Sequence, residues 1–157
     1  MRLSSSAFQD GKAIPSKYAY HGVVGGKNIS IPLTWVEISS EVKSFALSII
    51  DPHPVAKNWI HWLAINIPKE TTSLPEGCSG KTMPQGCKEL YNSYGTIGYG
   101  GPQPPKGSGK HPYVVTVYGL NIESLDLPQN ASLAAFEKMI EGNITASAKT
   151  TGFYEQL

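Results

Sequence analysis

The stretch YGGPQPPKGSGKHPYVVTVYGL, Tyr99–Leu120, runs from a glycine- and proline-rich loop into a histidine and then into a strand of alternating apolar residues. A second stretch, FALSIIDPHPVAKNWIHW at Phe45–Trp62, is built similarly. An apolar strand there ends on an Asp-Pro, and a histidine follows in the next apolar run. Both stretches place polar side chains at strand ends, where loops held by a rigid sheet commonly form binding sites. They therefore predict a small polar pocket where the two loops meet.

The composition favours a folded domain rather than a disordered or membrane-spanning chain. Of 157 residues, 40% are hydrophobic and 16% are charged, and the 16 glycines and 12 prolines predict many turns and short strands. A formal net charge of +1 argues against nucleic acid as a partner. No apolar run reaches the roughly 18 residues of a membrane-spanning helix, and no secretory signal is visible at the N-terminus. We expect one domain over residues 1–157, located in the cytoplasm.

Four segments are predicted to be β-strands from the spacing of their apolar residues. In Asn28–Trp35 every second residue is apolar, but Pro32 interrupts the run, so we expect a strand at the edge of a sheet. Lys43–Ile50 and Trp59–Ile67 are apolar at nearly every position, which is typical of buried central strands. Tyr113–Leu120 is predicted to be another central strand.

The rest of the chain is predicted to contain a long loop region and a helix. Segment 75–109 is rich in turn residues, which indicates a functional segment or one with short irregular elements. The stretch ASLAAFEKMIEG has helical periodicity, with Asn130 or Ser132 as its N-cap and Gly142 as its stop. The tail after it is either a second short helix or a last strand. These elements together predict a mainly β protein with a C-terminal helix.

The predicted site consists of Asp51, His61 and His111, because they belong to the two stretches that meet at the strand ends. Histidine side chains and glycine N–H groups donate hydrogen bonds to oxyanions, so this set favours a small anion as ligand. Each residue also has a simpler interpretation. Asp51 before a proline is typical of an Asx-turn. His61 shares its strand parity with Trp59, Leu63 and Ile65, which is typical of a core histidine.

Other residues in the loops carry weaker signals. Lys106 and Lys110 either raise the positive potential beside His111 or are ordinary solvated charges. Cys78 and Cys87 leave two alternatives open, a disulfide that pins the loop or a pair of free thiols. No histidine or further cysteine lies near them, and we expect neither a metal site nor a cofactor.

Enzyme motifs are incomplete in this sequence. The GSGKH segment lacks the first glycine and the Ser/Thr of a phosphate-binding P-loop. A Ser-His-Asp hydrolase would use Ser108, but the G-x-S-x-G turn that exposes such a serine is absent.

The quoted stretches, taken together, resemble a known family. A D-P…W-x-H-W element at Asp51–Trp62 and a G-P-x-P-P-x-G…H-x-Y element at Gly101–Tyr113 are found as a pair in the phosphatidylethanolamine-binding protein (PEBP) family. Over essentially its whole length the chain is similar to the short bacterial and archaeal branch of that family. The resemblance implies a large central β-sheet packed on a smaller sheet, with a C-terminal helix or helices.

The resemblance also implies where a ligand binds. Family members hold phosphate, acetate or a phospholipid headgroup in a small pocket at the strand ends. Carried over by motif, the pocket residues of this chain are Asp51, His61, Gly101, Pro102, Pro104, His111 and Tyr113.

This chain departs from the family pattern at three positions. His53 and Ser93 stand where the family usually has an acidic residue, and Pro112 stands where it usually has an arginine. We therefore add His53 to the candidate ligand-binding residues. An extra imidazole that titrates near neutral pH predicts stronger anion binding in acid.

Three functions are compatible with these residues. The first is binding of a small anion or phosphorylated headgroup, with a regulatory role. The second is inhibition of a protease or kinase through segment 75–109. The third is an enzyme that uses the same pocket, with His61 or His111 as general base. The sequence leaves the oligomeric state open, with a homodimer among the alternatives.

Overall fold

The computed structural model describes all 157 residues, which form two antiparallel β-sheets and one α-helix. In chain order the strands and the helix are β1 (Arg2–Ser4), β2 (Leu33–Val36), β3 (Ser44–Asp51), β4 (Trp59–Pro68), β5 (Ser73–Leu74), β6 (Lys88–Glu89), β7 (His111–Leu120), α1 (Leu133–Glu141) and β8 (Ile144–Tyr154). The small sheet has the order β1-β2-β5 and the large sheet has the order β6-β4-β3-β7-β8. The predicted mainly β fold, with a large sheet, a smaller sheet and a C-terminal helix, is confirmed.

The larger hydrophobic cluster joins the two sheets. Trp35 of β2 packs edge-on against Phe45 of β3, with ring centroids 5.4 Å apart. Val115 and Val117 of β7 belong to the same cluster and are fully buried. The apolar alternation along these strands therefore places one face of the large sheet against the small sheet, and each buried side chain of this size contributes about 1.5–3 kcal/mol.

A second cluster lies on the opposite face of the large sheet, under α1. Phe136 and Ile140 of the helix are buried against residues that include Leu63 and Ile65 of β4. The helix begins after Ser132, whose hydroxyl accepts a hydrogen bond from the backbone N–H of Ala135 at 3.1 Å. Ser132 is thus the N-cap of the two predicted alternatives, and both faces of the large sheet are covered. The helix has 9 residues, and no helix is long and apolar enough to cross a membrane.

Other expected elements differ in detail from the prediction. The edge position predicted for Asn28–Trp35 is wrong: Pro32 precedes the strand, and β2 lies between β1 and β5 in the small sheet. The tail is a strand, β8, which pairs with β7 along its length. The long segment 75–109 contains β6, whose Glu89 accepts a hydrogen bond from the indole N–H of Trp62 at 2.8 Å.

The outer end of β4 contains a β-bulge at His61. Ile49 and Ile50 are neighbours on β3, yet they pair with Trp62 and Ile60, so His61 has no partner on β3. One extra residue in a strand reverses the alternation of its side chains. The bulge therefore decides which face of the sheet receives the imidazole.

The grouping of His61 by strand parity agrees with the structure for Trp59, which lines the same cavity as His61, and is wrong for Leu63 and Ile65. Leu63 and Ile65 pack under α1, whereas His61 lines a cavity on the other side of the sheet. The bulge is the physical reason, since a constant alternation would have put all three on one face.

Candidate functional site

A cavity of about 280 Å³ opens at the end of the large sheet where β3 ends and β7 begins. Its polar lining includes Asp51, His61, His111 and Tyr113, and Pro104 of the glycine- and proline-rich loop forms part of the wall. The structure thus brings together five of the predicted site residues. They reach the cavity from three adjacent strands and one loop.

Asp51 and His111 form a buried pair in this cavity. Nδ1 of His111 lies 2.6 Å from Oδ2 of Asp51, and the His111 and Asp51 side chains are 0% and 3% exposed. The other carboxylate oxygen, Oδ1, accepts a hydrogen bond from the backbone N–H of His53 at 2.9 Å. Asp51 therefore forms the expected turn contact and also orients the imidazole of His111.

Ser108 holds the other nitrogen of His111. Its Oγ lies 2.8 Å from Nε2 of His111, and its hydroxyl donates to the carbonyl oxygen of Pro105 at 2.6 Å. Because the hydroxyl has one proton, Oγ must accept from Nε2–H. Both ring nitrogens of His111 are therefore engaged, Nε2 by Ser108 and Nδ1 by the carboxylate of Asp51.

The chain of contacts from Asp51 through His111 to Ser108 resembles the catalytic relay of a serine hydrolase. The hydroxyl group of the serine, however, donates its hydrogen bond to a different partner. In that relay the serine donates to the histidine. Here the proton of Ser108 is directed to Pro105 and the serine accepts from the ring. Ser108 is a positioning residue for His111, and the sequence signal for it is a serine three residues before the histidine.

His61 presents one free nitrogen to the cavity. Its Nδ1 lies 2.6 Å from the carbonyl oxygen of Gly100, which can only accept, so Nδ1 carries a proton. Burial lowers the pKa of the imidazole from 6.5 to about 4. The ring is therefore neutral at pH 7, and Nε2, which has no protein partner, is a hydrogen-bond acceptor.

Tyr113 contributes a hydroxyl group with no hydrogen-bond partner. This oxygen is buried and Tyr113 lines the cavity, with its ring edge-on to the imidazole of His61 at 4.9 Å between centroids. Burial raises the pKa of the phenol, so the hydroxyl stays protonated. It can donate a hydrogen bond to a ligand.

An apolar rim, which the sequence patterns did not reveal, surrounds these polar groups. Val55 and Trp59 line the cavity and are exposed, and Tyr94 lines it beside Trp59. Tyr94 stacks on Tyr20 with centroids 3.8 Å apart, and its hydroxyl donates to the carbonyl oxygen of Gly101 at 2.7 Å. The aromatic residues around the W-x-H-W element are visible in the sequence. Their contacts with the other rim residues were not predictable, because these contacts form only when the loops are folded.

His53 lies behind the cavity and does not line it. Its ring stacks on the ring of His111 with centroids 3.8 Å apart and planes 10° apart. Nδ1 of His53 accepts a hydrogen bond from the backbone N–H of Val55 at 3.1 Å. The structure thus places His53 as a support for His111, because the turn at Asp51 directs it away from the opening.

Gly101 and Pro102 also lie outside the cavity lining, and both hold the loop in place. A Cβ atom on Gly101 would lie 2.0 Å from the carbonyl oxygen of Tyr18, so only glycine allows this approach. The carbonyl oxygen of Pro102 accepts a hydrogen bond from the backbone N–H of Tyr20 at 2.9 Å. Their role in the structure is therefore to pack the loop against the N-terminal segment.

The lysines and cysteines of the loops are likewise outside the cavity. Lys106 and Lys110 are exposed and do not line it, so no lysine or arginine side chain is part of its wall. Cys78 is buried, Cys87 is partly buried, and the structure has no disulfide between them. The structure has no cluster of three or more His, Cys, Asp or Glu side chains arranged to hold a metal ion.

Two packed antiparallel sheets with a small polar cavity at the strand ends define the structural class of this protein. The sequence profile described as "Phosphatidylethanolamine-binding protein" matches residues 4–155. The chain belongs to this family, which confirms the resemblance found in the sequence.

Three proteins are similar to this chain over nearly their whole length. A "UPF0098 protein" of Methanothermobacter thermautotrophicus is 40% identical, with 99% of each chain aligned. The crystal structure of Escherichia coli YbcL, described as a new member of the mammalian PEBP family, matches with a TM-score of 0.93 and 32% identity, covering 99% of this chain and 98% of that one. A putative PEBP homologue of Chlamydia trachomatis matches with a TM-score of 0.83 and 31% identity, covering 99% and 97%.

Proposed function

We propose that the protein is a binding module whose cavity takes a small oxyanion or a phosphorylated headgroup. The hydroxyl of Tyr113 is the observation that carries this proposal. Two buried side-chain polar atoms lack a partner, and of these only the Tyr113 hydroxyl belongs to a residue that lines the cavity. Such a group costs about 1–3 kcal/mol when it is left unpaired. A bound ligand oxygen would supply the missing acceptor.

The chemistry of the two cavity histidines favours binding over catalysis. An effective general base has a pKa near the working pH. The pKa of His61 is about 4, so its free nitrogen is a weak base at neutral pH. Both nitrogens of His111 are already engaged by Asp51 and Ser108. The third hypothesis, an enzyme that uses these imidazoles as bases, therefore has less support.

A Tyr113→Phe variant tests the proposal. We expect its affinity for inorganic phosphate and for phosphoethanolamine, measured by calorimetric titration, to fall about tenfold, since a hydrogen bond to a charged group is worth about 1.5 kcal/mol. Its free energy of unfolding should stay equal or rise, because the removed hydroxyl has no partner in the free protein. Comparing the two ligands separates a preference for the headgroup from a preference for phosphate itself.

Tyr99→Phe is the matched control. Tyr99 is also a buried tyrosine, but its hydroxyl donates to the carbonyl oxygen of Tyr18 at 2.8 Å. This variant should lose about 1 kcal/mol of stability and keep the affinity of the wild type. Unchanged affinity in Tyr113→Phe, or no binding of either ligand to the wild type, would contradict the proposal.

Inhibition of a protease or kinase through segment 75–109 is a second candidate. Tyr91 and Ile97 pair across this segment and are 41% and 44% exposed, so they form a small apolar surface that a partner could cover. If this surface binds an enzyme, replacing both residues with serine should abolish inhibition in a panel of proteases and kinases and leave phosphate binding unchanged. Loss of phosphate binding alone, with inhibition retained, would count against this surface.

A further inference from the structure

Most of the buried hydrogen-bonding groups in the cavity wall already have a partner within the protein. The carboxylate of Asp51 accepts from His111 and from the backbone of His53, and both nitrogens of His111 are engaged. Apart from the exposed amide of Gln103, two side-chain groups of the lining remain without a protein partner: the buried hydroxyl of Tyr113, which donates, and Nε2 of His61, which accepts. A ligand that satisfies both must accept one hydrogen bond and donate another.

The charges of the residues that line the cavity also limit which ligands can bind. No lysine or arginine lines the cavity, His61 is neutral, and both nitrogens of His111 are already engaged by Asp51 and Ser108. A buried dianion would have no positive partner here, and desolvating an unpaired charge is costly. The lone pair of His61 would also repel a fully ionised oxygen. The site is therefore unfavourable for the dianionic form of a phosphate.

We propose that the site selects an oxyacid that still carries a proton, namely a phosphomonoester in its monoanionic form. The P–OH group of the ligand donates to Nε2 of His61, and another phosphoryl oxygen accepts from the hydroxyl of Tyr113. Both residues line the same cavity, and their rings are neighbours with centroids 4.9 Å apart. This inference rests on the proposed function, since it specifies which ligand the cavity takes.

The apolar rim adds a second requirement. Trp59 and Val55 are exposed at the opening and line it. An aryl or alkyl substituent on the phosphate would cover them, so the preferred ligand has an apolar group next to its monoester. A phosphodiester of the same size has no P–OH and leaves the acceptor of His61 without a partner.

Phenyl phosphate, methyl phenyl phosphate and phenyl sulfate separate these possibilities. The first loses its second proton near pH 6, whereas the other two carry one negative charge and no proton at every pH from about 5 to 8. The wild-type protein should bind phenyl phosphate at about pH 5.5 at least tenfold more tightly than either analogue, since one hydrogen bond is at stake. Above about pH 6 its affinity should fall roughly tenfold per pH unit, because the bound form disappears.

The two analogues also control for titration of the protein. Asp51, His111, His53 and Tyr94 surround the two free groups, and any change in their charge acts on all three ligands alike. The proposal therefore concerns the ratio of affinities, phenyl phosphate to phenyl sulfate, as a function of pH. In a His61→Gln variant the amide can donate as well as accept, so this ratio should fall towards one at about pH 5.5.

The outcomes distinguish this inference from the proposed function. Equal affinity for phenyl phosphate and the diester, or a ratio that is constant or rises with pH, would overturn the selection of a protonated ligand and leave anion binding intact. If none of the three ligands binds and inorganic phosphate fails as well, both proposals are wrong. Because the ligand series uses the wild-type protein, the result does not depend on the folding of a variant.

Discussion

The imidazole of His61 is buried among aromatic rings, yet it keeps one nitrogen free of any protein partner. Its ring is edge-on to those of Tyr94 and Tyr113, and its only hydrogen bond is to the carbonyl oxygen of Gly100. The folded protein therefore favours the neutral form of this ring. Protonation would place a charge in a site without a free carboxylate.

The free energy of unfolding should depend on pH because the buried ring of His61 resists protonation. The pKa of His61 is about 4 in the folded protein and has its ordinary value of 6.5 in an unfolded chain, so between these values the unfolded chain binds the proton more readily. The stabilising contribution is fully present above pH 6.5 and is lost as the pH falls towards 4. Urea unfolding at about pH 7.5 and pH 5 should show that the wild type loses about 2 kcal/mol more than His61→Gln.

His21→Gln is the control for that experiment, because His21 is exposed and lies outside the cavity. Its unfolding free energy should follow the wild-type profile between the two pH values. Parallel profiles for the wild type and His61→Gln would show that burial of His61 has no such effect.

The strands were predictable because both faces of the large sheet are covered, which makes β3, β4 and β7 apolar along most of their length. The bulge in β4 was not predictable from the same signal. Periodicity assumes one constant alternation, whereas the pairing of β3 with β4 contains an extra residue at His61. The position of β2 was wrongly predicted because Pro32 lies just outside the strand and removes no hydrogen bond from it.

The helix α1 is the element whose end depends on one side chain. Ser132 accepts a hydrogen bond from the backbone N–H of Ala135, and the helix covers the cluster on the face away from the cavity. Ser132→Ala should therefore lower the free energy of unfolding by about 1 kcal/mol without changing ligand affinity. Ser132→Asp, which keeps an acceptor, should retain stability in the same urea titration, and equal losses in both variants would rule out capping as the cause.

On the scale of the whole molecule, the candidate site joins parts of the chain that are far apart in sequence. The loop at Gly101–Pro105 is held by Tyr18 and Tyr20 from the N-terminal segment and by Gln156, whose amide donates to the carbonyl oxygen of Pro104 at 2.7 Å. The strand-end residues Asp51, His111 and Tyr113 were predictable from motif and topology. Their supports were not, because these contacts form only when the sheets and the termini are in place.

The reaction rate of the two cysteine thiols should measure how often the whole protein unfolds. Burial raises the pKa of Cys78 to about 11 and that of Cys87 to about 12. Because the thiolate is the reactive form, both should react with a disulfide reagent such as dithionitrobenzoate far more slowly in the native protein than in urea. Cys87→Ser leaves the thiol of the buried Cys78, whose rate should increase in parallel with the unfolded fraction. Rapid labelling of both thiols in the native protein would contradict this assignment.

The bulge at His61 has a further consequence for engineering and for divergence. It divides β4 into an outer end, in which Trp59 and His61 line the cavity, and an inner part from Trp62 onward, which packs between the sheets and under the helix. We expect substitutions of Trp59 and His61 to leave the pairing of the inner part unchanged, because the bulge separates them from it. Libraries that vary these two positions can therefore search for new ligands while the inner part of the strand keeps its packing.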